Sequence, residues 1–253
     1  MTAGDIYGYL DSFASFACVS EWDNSGFLVG SPDAVVKKVL LSLDITTDVV
    51  VEAYEKGAEL IVSHHPVIFT TLKTLEPSSP TYLLAKYGIA AICAHTNLDV
   101  SNPGVNTVFA EKAGLYGNIS VLADDDGLAF GRIGVLCRKY AIKEYAESIK
   151  HIFNSGVVRY SKGSGFVYKV AVVGGAGGDF ITLAKKAGAD TLLTGEAKYH
   201  EFLFASELGL NLIDAGHFTT ENPAIYMLKD LFEKKFTETE FLVSEHMDIV
   251  KCI

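Results

Sequence analysis

The chain has few of the features that mark secreted or membrane proteins. It has only four cysteines: Cys18, Cys93, Cys137 and Cys252. They show no Cys-x-x-Cys spacing, and in apolar surroundings a cysteine behaves as a small hydrophobic residue. The first residues lack a basic segment followed by an apolar core, and no apolar run approaches the ~20 residues that span a bilayer. We therefore expect a reduced, cytoplasmic protein that is neither secreted nor membrane-spanning.

Basic charge is also scarce, because 21 Lys and Arg face 31 Asp and Glu for a net charge of −10. Nucleic acids and anionic membranes attract proteins through basic surfaces, so this balance argues against broad contact with either. A phosphate-bearing substrate would need a local positive field, supplied by metal ions and by residues such as Lys73, Arg132 or Lys198. The 253 residues are enough for one large domain or for two lobes.

An internal repeat organises the apolar segments of the chain. A run that begins at Lys38 is followed, nineteen residues after its start, by Gly57-Ala58-Glu59, and the same interval separates Lys169 from Gly188-Ala189-Asp190. The offset between the copies is 131 residues. Each copy alternates short apolar runs with helical segments, which is typical of βαβ units and a parallel sheet. The predicted strands are residues 39–43, 60–62 and 90–93 in one copy and 169–173, 191–193 and 211–213 in the other.

The repeat predicts two related α/β lobes, residues 1–123 and 127–253. Polar residues 124–127 are the expected link, and the last segment of the chain is a candidate to pack with the first lobe. Thr46 or Thr47 is predicted to cap a helix that continues through Lys56, and residues 180–187 fill the same place in the second copy. The spacing of the apolar residues near the start of the chain indicates a helix with one buried face.

Three short segments carry residues that bind metals. They are Ser63-His64-His65-Pro66, the segment from His95 to Asp99, and the segment from His217 to Glu221. Imidazole and carboxylate ligands suit zinc, manganese, iron and nickel alike. The predicted strand ends place these segments where open α/β sheets have their sites. If His64 and His65 are extended, their side chains point to opposite faces, which favours two divalent ions over one.

Each of these segments also has a purely structural interpretation. His64 and His65 can be a strand end with one buried and one exposed ring, and His217 with Glu221 can be a solvated pair on one helical turn. His95, Glu196 and His200 are candidates to move protons. His95 can instead support the metal ligands without binding metal, or be a plain buried histidine, and a position on the surface of a helix explains His200 as well.

Two further segments leave alternatives open. The loop Trp22-Asp23-Asn24-Ser25-Gly26 either lines a binding site or is a turn held by Asx hydrogen bonds and an anchoring tryptophan. The run from Gly174 to Gly178 follows a predicted strand but lacks the Gly-Lys-Ser/Thr ending of a phosphate loop, so a strand-to-helix turn is favoured.

Four motifs in order resemble the Nif-three-like family, whose bacterial members are described as GTP cyclohydrolase I type 2 homologues. They are residues 22–26, 63–66, 95–99 and 214–221. The resemblance implies two α/β lobes with a dinuclear metal centre between them, in a ring-shaped hexamer. It also implies the ligand set His64, His65, Asp99, His217 and Glu221. The chain resembles the short form without a central insert domain, and Glu196 stands where the family commonly has Asp.

Two classes of function follow from these motifs. The first is a metal-dependent hydrolase acting on a small molecule, with GTP or another nucleotide as the substrate class that the resemblance implies. The second is a non-catalytic, metal-binding oligomer that stores or delivers metal or acts as a scaffold. Turnover that depends on bound metal separates the two.

Overall fold

The computed structural model describes residues 1–252 as a mixed α/β structure with two sheets. It divides into two compact units. The first unit combines Met1–Pro103 with Ala224–Met247, and the second combines Gly104–Pro223 with residues 248–252. Over the described residues, the structure contains no helix with the length and apolar character needed to cross a bilayer.

The helices and strands alternate along the chain. Up to residue 103 they are α1 Ala3–Phe13, β1 Gly26–Val29, β2 Lys38–Ser42, α2 Thr47–Lys56, β3 Leu60–Ser63, α3 Pro80–Tyr87, β4 Ala90–Cys93 and α4 Thr96–Val100. From residue 104 they are α5 Val105–Lys112, β5 Tyr116–Ala123, β6 Ala129–Tyr140, α6 Ile142–Ile152, β7 Arg159–Ser161, β8 Val167–Val173, α7 Ile181–Lys186, β9 Thr191–Thr194, α8 Tyr199–Glu207, β10 Asn211–Asp214, α9 His217–Glu221, α10 Pro223–Lys235 and β11 Glu240–Val243.

The first unit is built on a five-stranded sheet in the order β1-β4-β3-β2-β11. Strands β2, β3 and β4 are parallel, β11 extends them in parallel, and β1 pairs antiparallel with β4. The three predicted strands are confirmed, and so is the helix that Thr46 caps through its side chain. β3 and β4 are buried throughout, as expected for parallel strands covered on both faces.

Helix α1 confirms the amphipathic pattern at the start of the chain. Ile6 and Leu10 on its apolar face are fully buried. The ring of Tyr9 lies 5.9 Å from that of Phe232 on α10, so the last long helix packs with the first unit. This packing and the β11–β2 pair tie residues 224–247 to the first unit.

The second unit has a six-stranded sheet in the order β5-β6-β8-β9-β10-β7. Its parallel strands β8, β9 and β10 confirm the second set of predicted strands. The pair β8 and β9 is parallel and begins at Val170 and Thr191, and the corresponding pair β2 and β3 in the first unit is also parallel. The repeat in the sequence is therefore a repeat of strand order within each sheet.

Residues 124–127 have a different role from the predicted link between lobes. They form the turn between β5 and β6, which pair antiparallel. Within the turn, Asp124 Oδ1 accepts hydrogen bonds from the backbone N–H groups of Asp126 and Leu128. β5 is an edge strand of the second sheet, where it pairs with β6. Residues 104–123 therefore belong to the second unit rather than to the first.

Candidate metal site

In the first unit, metal-binding residue types follow three neighbouring parallel strands. Asp44 comes two residues after β2, His64 and His65 follow β3 directly, and His95 lies two residues after β4. The carboxyl ends of parallel strands meet at one edge of the sheet, which is where open α/β folds place their ligands. The topology therefore brings these four side chains together from distant parts of the sequence.

Each of the three histidines uses its Nδ1 atom to bind an oxygen. His64 Nδ1 lies 2.9 Å from the carbonyl oxygen of Ala94, and that oxygen can only accept. His65 Nδ1 lies 2.7 Å from Asp44, and His95 Nδ1 lies 2.9 Å from Asp23. In each neutral ring the Nδ1–H donates, so the lone pair is on Nε2.

The three rings lie side by side rather than apart. The centroids of His64 and His65 are 5.0 Å apart, and each residue of the group His64, His65 and His95 offers one ligand atom within 4.8 Å of the others. This differs from the expectation that His64 and His65 point to opposite faces. β3 ends at Ser63, so the alternation of an extended strand does not apply to the two residues that follow it. The direction of these two rings therefore does not decide between one ion and two.

Asp99 is close to this group on helix α4. Its Oδ1 lies 3.6 Å from His64 Nε2. Two ligands that are each about 2.1 Å from a tetrahedral zinc-like ion are themselves about 3.4 Å apart. The spacing therefore suits a pair of atoms that bind one ion, and the donor types fit a divalent metal.

Asp23 orients His95 from the Trp22–Gly26 loop. Its side chain is shielded from solvent and also accepts hydrogen bonds from the hydroxyl groups of Ser25 and Thr96, each at 2.7 Å. Burial raises the pKa of Asp23, but the hydrogen bonds from His95, Ser25 and Thr96 outweigh it and hold this pKa well below its usual range. Asp23 is thus ionised and keeps the proton of His95 on Nδ1.

Asp44 is a second orienting carboxylate, and the sequence alone did not reveal it. One of its oxygens binds His65 Nδ1, and the other lies 3.3 Å from Nε2 of His246. Burial raises the pKa of Asp44, yet the hydrogen bonds from the two histidines lower it below the ordinary value. Carboxylates that hold the far nitrogen of a histidine ligand fix its tautomer and raise its basicity.

Replacing Asp44 with Asn should weaken divalent metal binding about 10- to 100-fold, because His65 loses the anionic acceptor that fixes its Nε2 lone pair. Competition with a chelating dye measures this affinity. The histidine ¹⁵N shifts of metal-free protein should show that His65 no longer occupies one tautomer. Asp33→Asn, on an exposed loop, is the matched control. Unchanged affinity together with an unchanged His65 tautomer would contradict the role of Asp44.

In the second unit, helix α9 carries the other predicted ligand pair. His217 begins the helix and Glu221 ends it, and His217 Nε2 lies 3.1 Å from Glu221 Oε2. His217 Nδ1 lies 3.2 Å from Glu196 Oε2, so Glu196 orients this ring. Glu221 is only 4% exposed. A buried carboxylate beside an Nε2 atom is a suitable donor pair for a divalent ion.

Glycines allow the backbone to approach this pair closely. A Cβ at Gly175, whose φ is +58°, would lie 2.3 Å from Glu221 Oε1 and 3.1 Å from His217 Nε2. A Cβ at Gly195 would lie 2.5 Å from the hydroxyl of Thr220 and 2.9 Å from the Cα of His217. The glycine run after β8 is therefore a strand-to-helix turn that makes room for His217 and Glu221, as the turn interpretation expected.

The offset of 131 places Gly195 and Glu196 opposite His64 and His65. The second unit thus has a small residue and a carboxylate where the first has two histidines. Of the three candidates for proton transfer, the structure places His95 within the histidine group and Glu196 against His217. His200 is exposed on α8, with its Nε2 4.0 Å from Glu201.

Comparison with known proteins identifies the family. The model of the Duf34/NIF3 (NGG1p interacting factor 3) family matches residues 1–248. The chain belongs to this family. A relative from Clostridium perfringens, named GTP cyclohydrolase 1 type 2 homolog, is 33% identical over 97% of each chain. A Helicobacter pylori protein named GTP cyclohydrolase 1 type 2 is 31% identical over 86% of each chain.

A solved structure agrees with the fold of this NIF3 family member. A Staphylococcus aureus hypothetical protein superposes with a TM-score of 0.90 and 28% sequence identity, covering 100% of this chain and 99% of the other. The resemblance inferred from four short motifs is therefore confirmed along almost the whole chain.

Proposed function

We propose that this NIF3 family member is a dinuclear metal-dependent hydrolase. The proposed ligands of its two divalent ions are His64, His65, Asp99, His217 and Glu221. The observation that carries the proposal is the preset tautomer of the histidines, since each Nδ1 faces an oxygen and the lone pair of the neutral ring is therefore on Nε2. Structural histidines need no such common orientation, whereas metal ligands do.

The side chains around these ligands have separate tasks in hydrolysis. Divalent ions lower the pKa of a coordinated water and polarise the electrophile of the substrate. His95 accepts a proton at Nε2, because the ionised Asp23 at Nδ1 stabilises the imidazolium that forms. Glu196 keeps His217 in one orientation. We assign no proton transfer to His200, whose side chain is 74% exposed and has no hydrogen bond to His217 or Glu196 among the described residues.

The names of the curated relatives make GTP the first substrate to test. For GTP, water would add to the imidazole carbon of the purine, and ring opening would follow. A phosphoester or an amide places an equally electrophilic centre near the ions, so these compounds belong in the same screen. The homo-hexamer that the resemblance implies remains a prediction, as does the identity of the metal among zinc, manganese, iron and nickel.

Protein purified without chelator should contain about two divalent ions per chain and hydrolyse a nucleotide or an ester. Removal of the ions should abolish turnover and leave the circular dichroism spectrum unchanged, because the proposed ions take part in chemistry rather than in folding. Elemental analysis and a substrate screen measure both quantities. Tightly bound metal without turnover of any compound would favour the non-catalytic metal-binding oligomer.

A further inference from the structure

Two large aromatic side chains lie exposed beside the histidine group. Trp22 is 63% exposed and Phe69 is 52% exposed. Their ring centroids are 6.0 Å apart and their planes are inclined by 44°. The ring of His95 lies 5.9 Å from Trp22 and 6.5 Å from Phe69, with interplanar angles of 83° and 70°. Burial of such rings normally stabilises a fold, so these two exposed rings contribute little to the core and lie next to the candidate metal ligands.

The polar network of the site holds both aromatic residues. Trp22 directly precedes Asp23, the carboxylate that orients His95. The side-chain amide of Asn24 donates a 2.6 Å hydrogen bond to the carbonyl oxygen of Ile68, next to Phe69. The loop that carries Trp22 is therefore tied both to the histidine group and to the segment that carries Phe69. Asp23 holds this loop by accepting hydrogen bonds from the backbone N–H of Asn24 and the hydroxyl of Ser25, whereas the side chain of Trp22 is exposed and does not anchor it.

We propose that Trp22 and Phe69 form a stacking platform for a planar heteroaromatic ring, such as a purine or a pterin, next to His95. The proposal rests on the proposed metal-dependent function. It assigns a binding surface to the part of the substrate that the ions do not recognise. Stacking on aromatic side chains depends on a flat π-face and not on charge, so it suits a ring that binds to an acidic protein. The 44° inclination allows the ring to lie on one aromatic face and to meet the other with its edge.

The chain provides its own reporter, because Trp22 is its single tryptophan. Titration of metal-loaded protein with GTP should quench the intrinsic fluorescence in a saturable way. Inorganic tripolyphosphate, which lacks the ring, should bind the ions without this quenching. Phe69→Leu should raise the dissociation constant for GTP about tenfold or more, since stacking of one base on an aromatic residue is worth roughly that much. The dissociation constant for tripolyphosphate should change less than about twofold in the same variant.

Tyr54→Leu is the matched control. Tyr54 is also exposed and stacks on another aromatic ring, that of Tyr87 at 4.2 Å, on helices α2 and α3. Its replacement should leave GTP binding unchanged. Trp22→Leu, followed by calorimetry in place of fluorescence, gives a second reading if Phe69→Leu unfolds.

Three outcomes would overturn the platform. One is equal binding of GTP and tripolyphosphate without quenching in protein that retains its metal. Another is unchanged GTP affinity in both Phe69→Leu and Trp22→Leu. The third is Trp22 fluorescence that follows protein concentration and light scattering rather than GTP, which would assign the surface to contact with a second copy. Loss of metal from the wild type, read by elemental analysis, would instead count against the proposed function.

Discussion

Changing His65 to Ala should remove about one divalent ion per chain and leave the fold intact. His65 presents Nε2 because Asp44 holds its Nδ1, and no other atom of the ring is available as a ligand. The ring is 24% exposed and lies outside the apolar core, so its loss leaves the parallel strands in place. Elemental analysis gives the ion count, and circular dichroism reports the fold.

His151→Ala is the matched control for the His65 variant. His151 lies exposed on α6, and the sequence assigns it no role. Its replacement should leave the metal content as in the wild type. An unchanged ion count in His65→Ala protein would remove His65 from the ligand set. Broad unfolding of that variant would mean that the ions, or the ring itself, maintain the structure of the first unit.

The strands and the ligand segments could be predicted from the sequence because both depend on local patterns. Short apolar runs gave β2, β3, β4 and their counterparts to within about two residues at each end. The position of His64 and His217 just after buried strands then followed from the rule that parallel sheets bind ligands at their carboxyl ends.

The orienting groups could not be predicted because they depend on long-range pairing. Asp44 meets His65 twenty-one residues away, Asp23 meets His95 seventy-two residues away, and His246 reaches Asp44 from the opposite end of the chain. The one available signal for Asp44 was its position at the end of a predicted strand. His246 has no such signal, since a histidine in a segment without a pattern is most often only a surface residue.

The direction of the two adjacent histidines depended on a single residue. A strand that continued through His65 would have placed the rings on opposite faces, but β3 stops at Ser63. The hydroxyl of Ser63 donates to the carbonyl oxygen of His65, which turns the chain at this point. Ends of elements are the least certain part of any prediction from sequence, and here that end decides the geometry of the site.

Replacing Glu221 with Gln should reduce turnover of any accepted substrate at least about 100-fold. The amide keeps the shape of the side chain but supplies no negative charge to an ion. Glu221 is 4% exposed, and a buried carboxylate is costly to ionise without a cation, so the neutral amide should not destabilise metal-free protein. Steady-state rates measure the first effect, and thermal unfolding with and without metal measures the second.

The difference between the two unfolding curves makes the Glu221 experiment decisive. If Glu221 is a ligand, metal should stabilise the wild type more than Glu221→Gln, because stabilisation by a bound ion follows from its affinity. Glu233→Gln is the control, since Glu233 is an exposed carboxylate on α10 that pairs with Lys229 at 3.3 Å. An unchanged rate and an unchanged metal-dependent shift in Glu221→Gln protein would exclude this carboxylate from the site. A lost rate with a wild-type shift would instead assign Glu221 to the chemistry and not to holding an ion.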